Sequence, residues 1–419
     1  LPPPTPAATD PARPGYPAPT ENPQAGYPAP TESAPPEEST PTQPTAQPIT
    51  QPTTPTGSSL IGLPPLTAAN ASVVTLLQSL SLFQDARITW SQDGTQFAVF
   101  HPFSSGEIRL YALASGTPAL IEIDGHPLSV NGVAFSPDGT QLASTGQDGT
   151  LRIWDTATGN QLFNQIITFQ SATFADSVEF SPDGTKVALF VSPESALYLY
   201  NFPLANTPPT ILAWTEHAAP VVSVYPAPDW QTFAWVGRGT LVWMNADGTF
   251  RGEQVSHEDF IMNVLYAPDS TRLFIQTAQT INNTSAGVVI VYDVQTGQPL
   301  QTLAHPDFVT ASALSPDTAT LAASSANTVT LWDWATGTEK LSISTPNLAQ
   351  TLAFSPDGSL LAGTFNGGVI QVWDVATGQV LATLQPGGEL FGVRFVMGGT
   401  VLAAMQYDGT VQFLGVAPE

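Results

Sequence analysis

The chain has 419 residues, 10 Lys and Arg against 34 Asp and Glu for a formal net charge of −24, no cysteine, and 40 prolines. Its only lysines are Lys186 and Lys340, a supply too small to neutralise phosphates, which argues against nucleic-acid binding and against docking on anionic membranes. The missing cysteines exclude disulfide frameworks, thiolate zinc sites and cysteine nucleophiles, and no apolar run approaches the roughly 20 residues that insert across a bilayer.

Residues 1–59 hold 18 of the 40 prolines and almost no large apolar side chains, so they read as an extended tail. Proline fixes φ and restricts the residue before it, which favours polyproline II. Within the tail Gly15-Tyr-Pro-Ala-Pro-Thr-Glu21 recurs as Gly26-Tyr-Pro-Ala-Pro-Thr-Glu32, and each copy carries one tyrosine, Tyr16 or Tyr27. Two readings follow: a flexible, O-glycosylated stalk, or a docking segment with the tyrosines as repeated anchors. The chain starts at Leu1, from which the expectation is a removed signal segment and an extracellular or cell-surface location.

Residues 60–86 read as a connector and one strand, and residues 87–417 as a repeat of 40 to 48 residues. Its marker is a turn between apolar runs: Trp90-Ser-Gln-Asp-Gly94, Phe135-Ser-Pro-Asp-Gly139, Phe180-Ser-Pro-Asp-Gly184, Tyr225-Pro-Ala-Pro-Asp-Trp230, Tyr266-Ala-Pro-Asp-Ser270, Leu314-Ser-Pro-Asp-Thr318, Phe354-Ser-Pro-Asp-Gly358 and a degenerate Phe395-Val-Met-Gly-Gly399. Proline followed by Asp-Gly suits a hairpin turn between strands. Each unit closes on an aromatic strand end, such as Trp154-Asp155, Tyr292-Asp293, Trp332-Asp333 or Trp373-Asp374.

On these residues the chain resembles the WD-repeat β-propeller family over residues 71–417, as a bacterial-type exported member with a Pro/Thr-rich tail. The resemblance implies an all-β, eight-bladed propeller, with seven blades and one separate repeat as the alternative. It also implies a structural hydrogen-bond set in the second repeat, formed by His126 after Gly125, Ser144, Asp148 and Trp154. The last repeat ends at its third strand near Val416, and the run from Val73 to Leu80 fits the vacant outer position, so ring closure by an N-terminal strand is expected.

No catalytic constellation emerges. His126, His217, His257 and His305 each precede an inner strand in a different blade, His101 has no evident partner, and His257-Glu258-Asp259 is at most an isolated patch. Asp138, Asp183, Asp269, Asp317 and Asp357 recur in the same turn, where they hydrogen-bond nearby backbone instead of forming acid/base pairs. No nucleophile elbow, phosphate loop or metal-ligand spacing occurs, so no cofactor, metal or enzymatic activity is expected. The one long loop, Thr280 to Gly287, carries acceptor triplets at Asn282 and Asn283, and a third lies at Asn70; plain polar turns account for them more readily than glycans. Trp230 and Trp334 are expected to project from one face of the disc as contact residues, with local packing as the other reading. The functional expectation is an exported structural subunit whose tail docks on a neighbouring copy to build a fibre or tube. The alternative is a surface-tethered module that binds a protein, peptide or glycan.

Overall fold

The computed structural model describes residues 56–417, apart from 103, 171, 173, 205–207, 214–220, 238, 257–260 and 282–283. Tyr16, Tyr27, His217, His257, Asn282 and Asn283 lie outside the described residues. The remainder is all-β: eight antiparallel sheets in chain order, seven of four strands and one of five, form an eight-bladed propeller. Blade 1 spans residues 87–123, blade 2 130–166, blade 3 177–213, blade 4 221–256, blade 5 261–305, blade 6 309–344 and blade 7 349–384.

Blade 8 supplies three strands from the C-terminus, Leu390–Val396, Val401–Gln406 and Thr410–Gly415. Its outer strand is Thr75–Ser81, antiparallel to Thr410–Gly415 with Leu76 opposite Leu414. The ring therefore closes by an N-terminal strand. A further short strand, Thr56–Gly57, pairs with Ser79 and Gln78 on the outside of that one and was not evident from the repeat.

Eight apolar clusters fill the eight blade junctions. Blades 1 and 2 share Leu110, Val133, Leu142 and Trp154, for example, and blades 4 and 5 share Trp243, Ile275 and Tyr292. Strands that alternate between two packed neighbours are apolar on both faces, which explains fully buried second strands such as Thr232–Gly237 and Leu360–Phe365. The segment before the closing strand is part of this core. Leu60 and Leu63 enter the junction of blades 8 and 1, while Leu66, Ala71 and Val74 enter that of blades 7 and 8. Backbone bonds hold this strap, from Leu60 N–H to Gly116 O (2.7 Å) and from Leu66 N–H to Gly399 O (3.0 Å).

The repeated turn is built by its serine and aspartate. In blade 2 the Ser136 hydroxyl donates to Asp138 (2.6 Å), Asp138 accepts from Thr140 N–H (3.1 Å), and Gly139 takes φ 71°. In blades 4, 5 and 6 Trp230, Ser270 and Thr318 stand where glycine would, at φ 53°, 61° and 60°, a left-handed conformation that costs an L-residue about 1–2 kcal/mol. The segment expected as a long loop in blade 5 is instead an extended hairpin: Arg272–Ile281 and Thr284–Asp293 pair along their whole length, to Ile281 opposite Thr284.

Candidate interaction surfaces

His126, Ser144, Asp148 and Trp154 form one continuous chain of hydrogen bonds in blade 2. Trp154 Nε1 donates to Ser144 Oγ (2.8 Å), which contacts His126 Nε2 (2.8 Å), while His126 Nδ1 meets Asp148 Oδ1 (2.9 Å). A single proton arrangement satisfies all of it, with the serine donating to a neutral imidazole that in turn donates to the carboxylate. Burial lowers the His126 pKa, with the Asp148 hydrogen bond opposing that shift. Arg152 completes the set by donating to Asp148 Oδ2 (2.9 Å) and Gly125 O (2.8 Å). Every polar atom of this cluster is spent on another, so it staples strands and has no group left for chemistry. Among the described residues Trp243, Trp332 and Trp373 keep the tryptophan of the set but leave Nε1 buried without a partner.

The turn carboxylates are similarly engaged. The Ser136 hydroxyl, followed by Thr140 N–H, holds the Asp138 pKa below its ordinary value, and the exit-turn Asp155, Asp333 and Asp374 are lowered by Thr158, Thr336 and Thr377 in the same way. Among the described residues no group of three or more His, Asp or Glu side chains is placed to hold a metal ion.

The expected exposure of the two tryptophans is corrected. Trp230 is only 6% exposed and packs edge-on against Phe233. Trp334 is half-buried, edge-on to Phe274, with Nε1 donating to Thr318 O (2.5 Å). Both lie on the face that carries the Ser-Pro-Asp turns, but the Trp230 ring packs on its own hairpin and the Trp334 ring bridges the Thr318 carbonyl and Phe274. His101 has partners after all, the Ser104 hydroxyl and the Phe83 ring. His305 is buried against Trp332 with Nε2 unpartnered, and burial holds its pKa down at about 4. At Asn70 the side-chain nitrogen donates to Pro65 O (3.0 Å) while Oδ1 accepts from Thr67 N–H (2.8 Å), so the acceptor atom for a glycan is occupied in shaping the strap.

Two features were not read from the sequence. On the face where the inner strands begin, Leu128, Met262, Phe308 and Tyr407 are 41% to 54% exposed. Each sits in a loop or strand start, where no periodicity marks an apolar residue as outward. On the inner strand of blade 3, Glu179 stands beside Ala188, Phe190, Val224 and Phe233 but keeps solvent access, and desolvation by these apolar neighbours pushes its carboxyl up to about 7.

The family model "WD domain, G-beta repeat" matches residues 118–155, 297–333 and 347–374. The chain carries WD40 repeats within an eight-bladed β-propeller. The first match begins with the outer strand of blade 1 and continues through three strands of blade 2, the same phase in which the N-terminal strand completes blade 8. A computationally designed protein, Ika8, superposes with a TM-score of 0.60 at 19% identity, covering 80% of this chain and 96% of that one, a likeness of fold alone. Among curated proteins, similarity is found to Topless-related protein 1 of Arabidopsis thaliana (40% identity over 17% of this chain and 7% of that protein). An uncharacterized WD repeat-containing protein of Synechocystis matches at 44% over 15% and 17%, and nucleoporin Nup37 of Drosophila melanogaster at 26% over 41% and 53%. The matched part of this propeller thus spans about half or less of the length of each relative. A WD40 propeller is typically an interaction scaffold without catalysis.

Proposed function

We propose that the propeller is a binding scaffold and that its partner is another copy of the same chain, engaged through the N-terminal tail in an extracellular fibre or tube. The observation that carries the scaffold reading is that the hydrogen-bonded constellations described above close on themselves within a rigid ring, while apolar side chains stand exposed outside it. Support for self-assembly comes from the tandem Gly-Tyr-Pro-Ala-Pro-Thr-Glu units, which present the same anchors twice. Tail and receptor surface differ, so the contact is heterologous and need not close. The extracellular setting rests on the Pro/Thr-rich composition alone.

Imaging the purified full-length protein by negative stain, beside a chain that starts at residue 56, tests this reading. The expected result is fibres or tubes from the former and single propellers from the latter. Single propellers from both would remove self-assembly. The tethered-module reading would then hold, favoured by the separately exposed Leu128, Met262, Phe308 and Tyr407 on one face, which a foreign protein or peptide would cover.

A further inference from the structure

Basic residues are scarce in this chain, yet three of the ten converge on one place. On the Ser-Pro-Asp turn face, a cleft of about 140 Å³ between blades 3 and 4 is lined by Pro182, Lys186, Pro228 and Trp230. A second of about 500 Å³ between blades 4 and 5 is lined by Arg251 and Arg272. Asp229 and Gln231 line both, which makes the two clefts one groove across three blades. Its floor is fixed where Asp229 N–H donates to Ser270 Oγ (2.9 Å).

The groove also contains four carboxylates, each oriented by neighbouring donors, and Asp183 lies within the field of Lys186. Asp183 accepts from Ser181 and Thr185, Asp269 from Thr271, Asp229 from Gln231 N–H, and Asp293 from Thr296 and Arg272. Lys186 and Arg251, by contrast, make no side-chain hydrogen bond or ion pair with any described residue. Two cations that no described residue pairs, beside the accessible Pro182 and Pro228, suit an acidic polyproline II segment, in which prolines lie on apolar ridges and a carboxylate reaches each cation. The chain itself contains such a segment twice, since each tail unit ends Pro-Ala-Pro-Thr-Glu, at Glu21 and at Glu32.

Ring geometry suits a second copy as the donor. The described chain begins at Thr56, on the outer edge of blade 8, and blade 4 lies diametrically opposite blade 8 in an eight-membered ring. The Thr56–Gly57 strand runs antiparallel to Thr75–Ser81, whose C-terminal end lies beside Thr410. Its N-terminal end therefore faces the side opposite the Ser-Pro-Asp turns. Donor and acceptor sit on opposite edges and opposite faces, an arrangement that propagates head to tail. We propose that the groove across blades 3 to 5 receives residues 15–32 of a neighbouring copy, with Lys186 and Arg251 pairing Glu21 and Glu32. This rests on the self-assembly reading above.

In the full-length protein, Lys186→Glu/Arg251→Glu should raise the concentration at half-assembly, measured by sedimentation velocity, at least tenfold. The thermal midpoint should stay unchanged, because neither side chain holds the fold. Glu21→Lys/Glu32→Lys should do the same, and combining all four changes should restore assembly. Mixing the two double variants should restore alternating co-assembly, because each variant's tail matches the other's groove. A groove variant that assembles like wild type overturns the site, and loss of assembly in both variants without co-assembly on mixing overturns the second copy in favour of the chain's own tail. A labelled peptide of residues 15–32 separates the two ideas. If wild type stays monomeric but binds the peptide, and the groove variant does not, the groove stands and self-assembly falls; equal binding to both overturns the groove.

Discussion

Ser144 is the residue on which blade 2 turns, because its hydroxyl is at once acceptor for Trp154 and donor to His126 at zero exposure. Ser144→Ala leaves two buried polar atoms unsatisfied and should cost about 3 kcal/mol, lowering the thermal midpoint by roughly 5 °C. Ser324 is equally buried but accepts one long bond, from Ala349 N–H at 3.3 Å, so Ser324→Ala should cost less than half as much. Differential scanning of both variants checks the ratio. Two other residues give stability a pH dependence of opposite sign. The folded pKa of His305, at about 4, is below its ordinary 6.5, so the unfolded chain binds more protons between those values. This contribution is complete above pH 6.5 and is lost as pH falls towards 4, by up to about 3 kcal/mol. Glu179 keeps solvent access while its carboxyl is raised from 4.5 to about 7, so the folded chain binds more protons and a contribution reduced by solvent screening is lost as pH rises through that window. In thermal melts from pH 4.5 to 8, His305→Phe should flatten the acid limb, and Glu179→Gln should stabilise more at pH 8 than at pH 5. Equal gains at both pH values would show that the Glu179 carboxyl ionises normally in the fold. These residues also mark the limit of the sequence. The family's hydrogen-bond positions identify His126 and Ser144, whereas the fate of Trp230 depends on a left-handed turn beside Phe233, a neighbour relation that no single repeat displays.

At the scale of elements, the repeated turns were legible because eight registers agree, and the vacancy in the last repeat pointed to the closing strand. The strap was not legible. Leu60, Leu63 and Leu66 stand three apart among glycine, proline and threonine, a spacing without strand alternation, yet all three are at most 7% exposed. They are buried because blade 8 is assembled from both chain ends and its junctions need apolar cover that no neighbouring repeat supplies. The closure is consequently a strand plus a clasp. Leu60→Ala/Leu63→Ala should destabilise the ring by about 5 kcal/mol, with each Leu→Ala in a packed core costing 2–5 kcal/mol. The loss should be local to the seam. Hydrogen exchange is expected to accelerate in Thr410–Gly415 while Thr240–Asn245 on the far side stays protected. Uniform acceleration in both strands would mean that the blades unfold as one unit and that the clasp has no separate role. A chain that starts at residue 56 keeps the entire strap and should melt with the full-length protein.

At the scale of the whole molecule, assembly must overcome a formal charge of −24 on every copy. The two electrostatic contributions differ in range. Repulsion between propellers acts over tens of ångströms and is screened once the Debye length falls from about 30 Å at 0.01 M salt to about 8 Å at 0.15 M. Ion pairs between Lys186 or Arg251 and the tail glutamates act at contact and persist until the Debye length approaches about 3 Å near 1 M. Light scattering at fixed protein concentration should accordingly pass through a maximum at intermediate salt. The groove variant Lys186→Glu/Arg251→Glu turns the contact pairs into repulsive ones and takes the formal charge from −24 to −28 (two reversals of two units each), so its residual assembly should rise with salt and show no decline at the high end. If wild-type scattering instead falls steadily from the lowest salt, repulsion between rings is not limiting, and the carboxylates on the Ser-Pro-Asp turns, already committed to their own hydroxyls and amides, lie away from the contact.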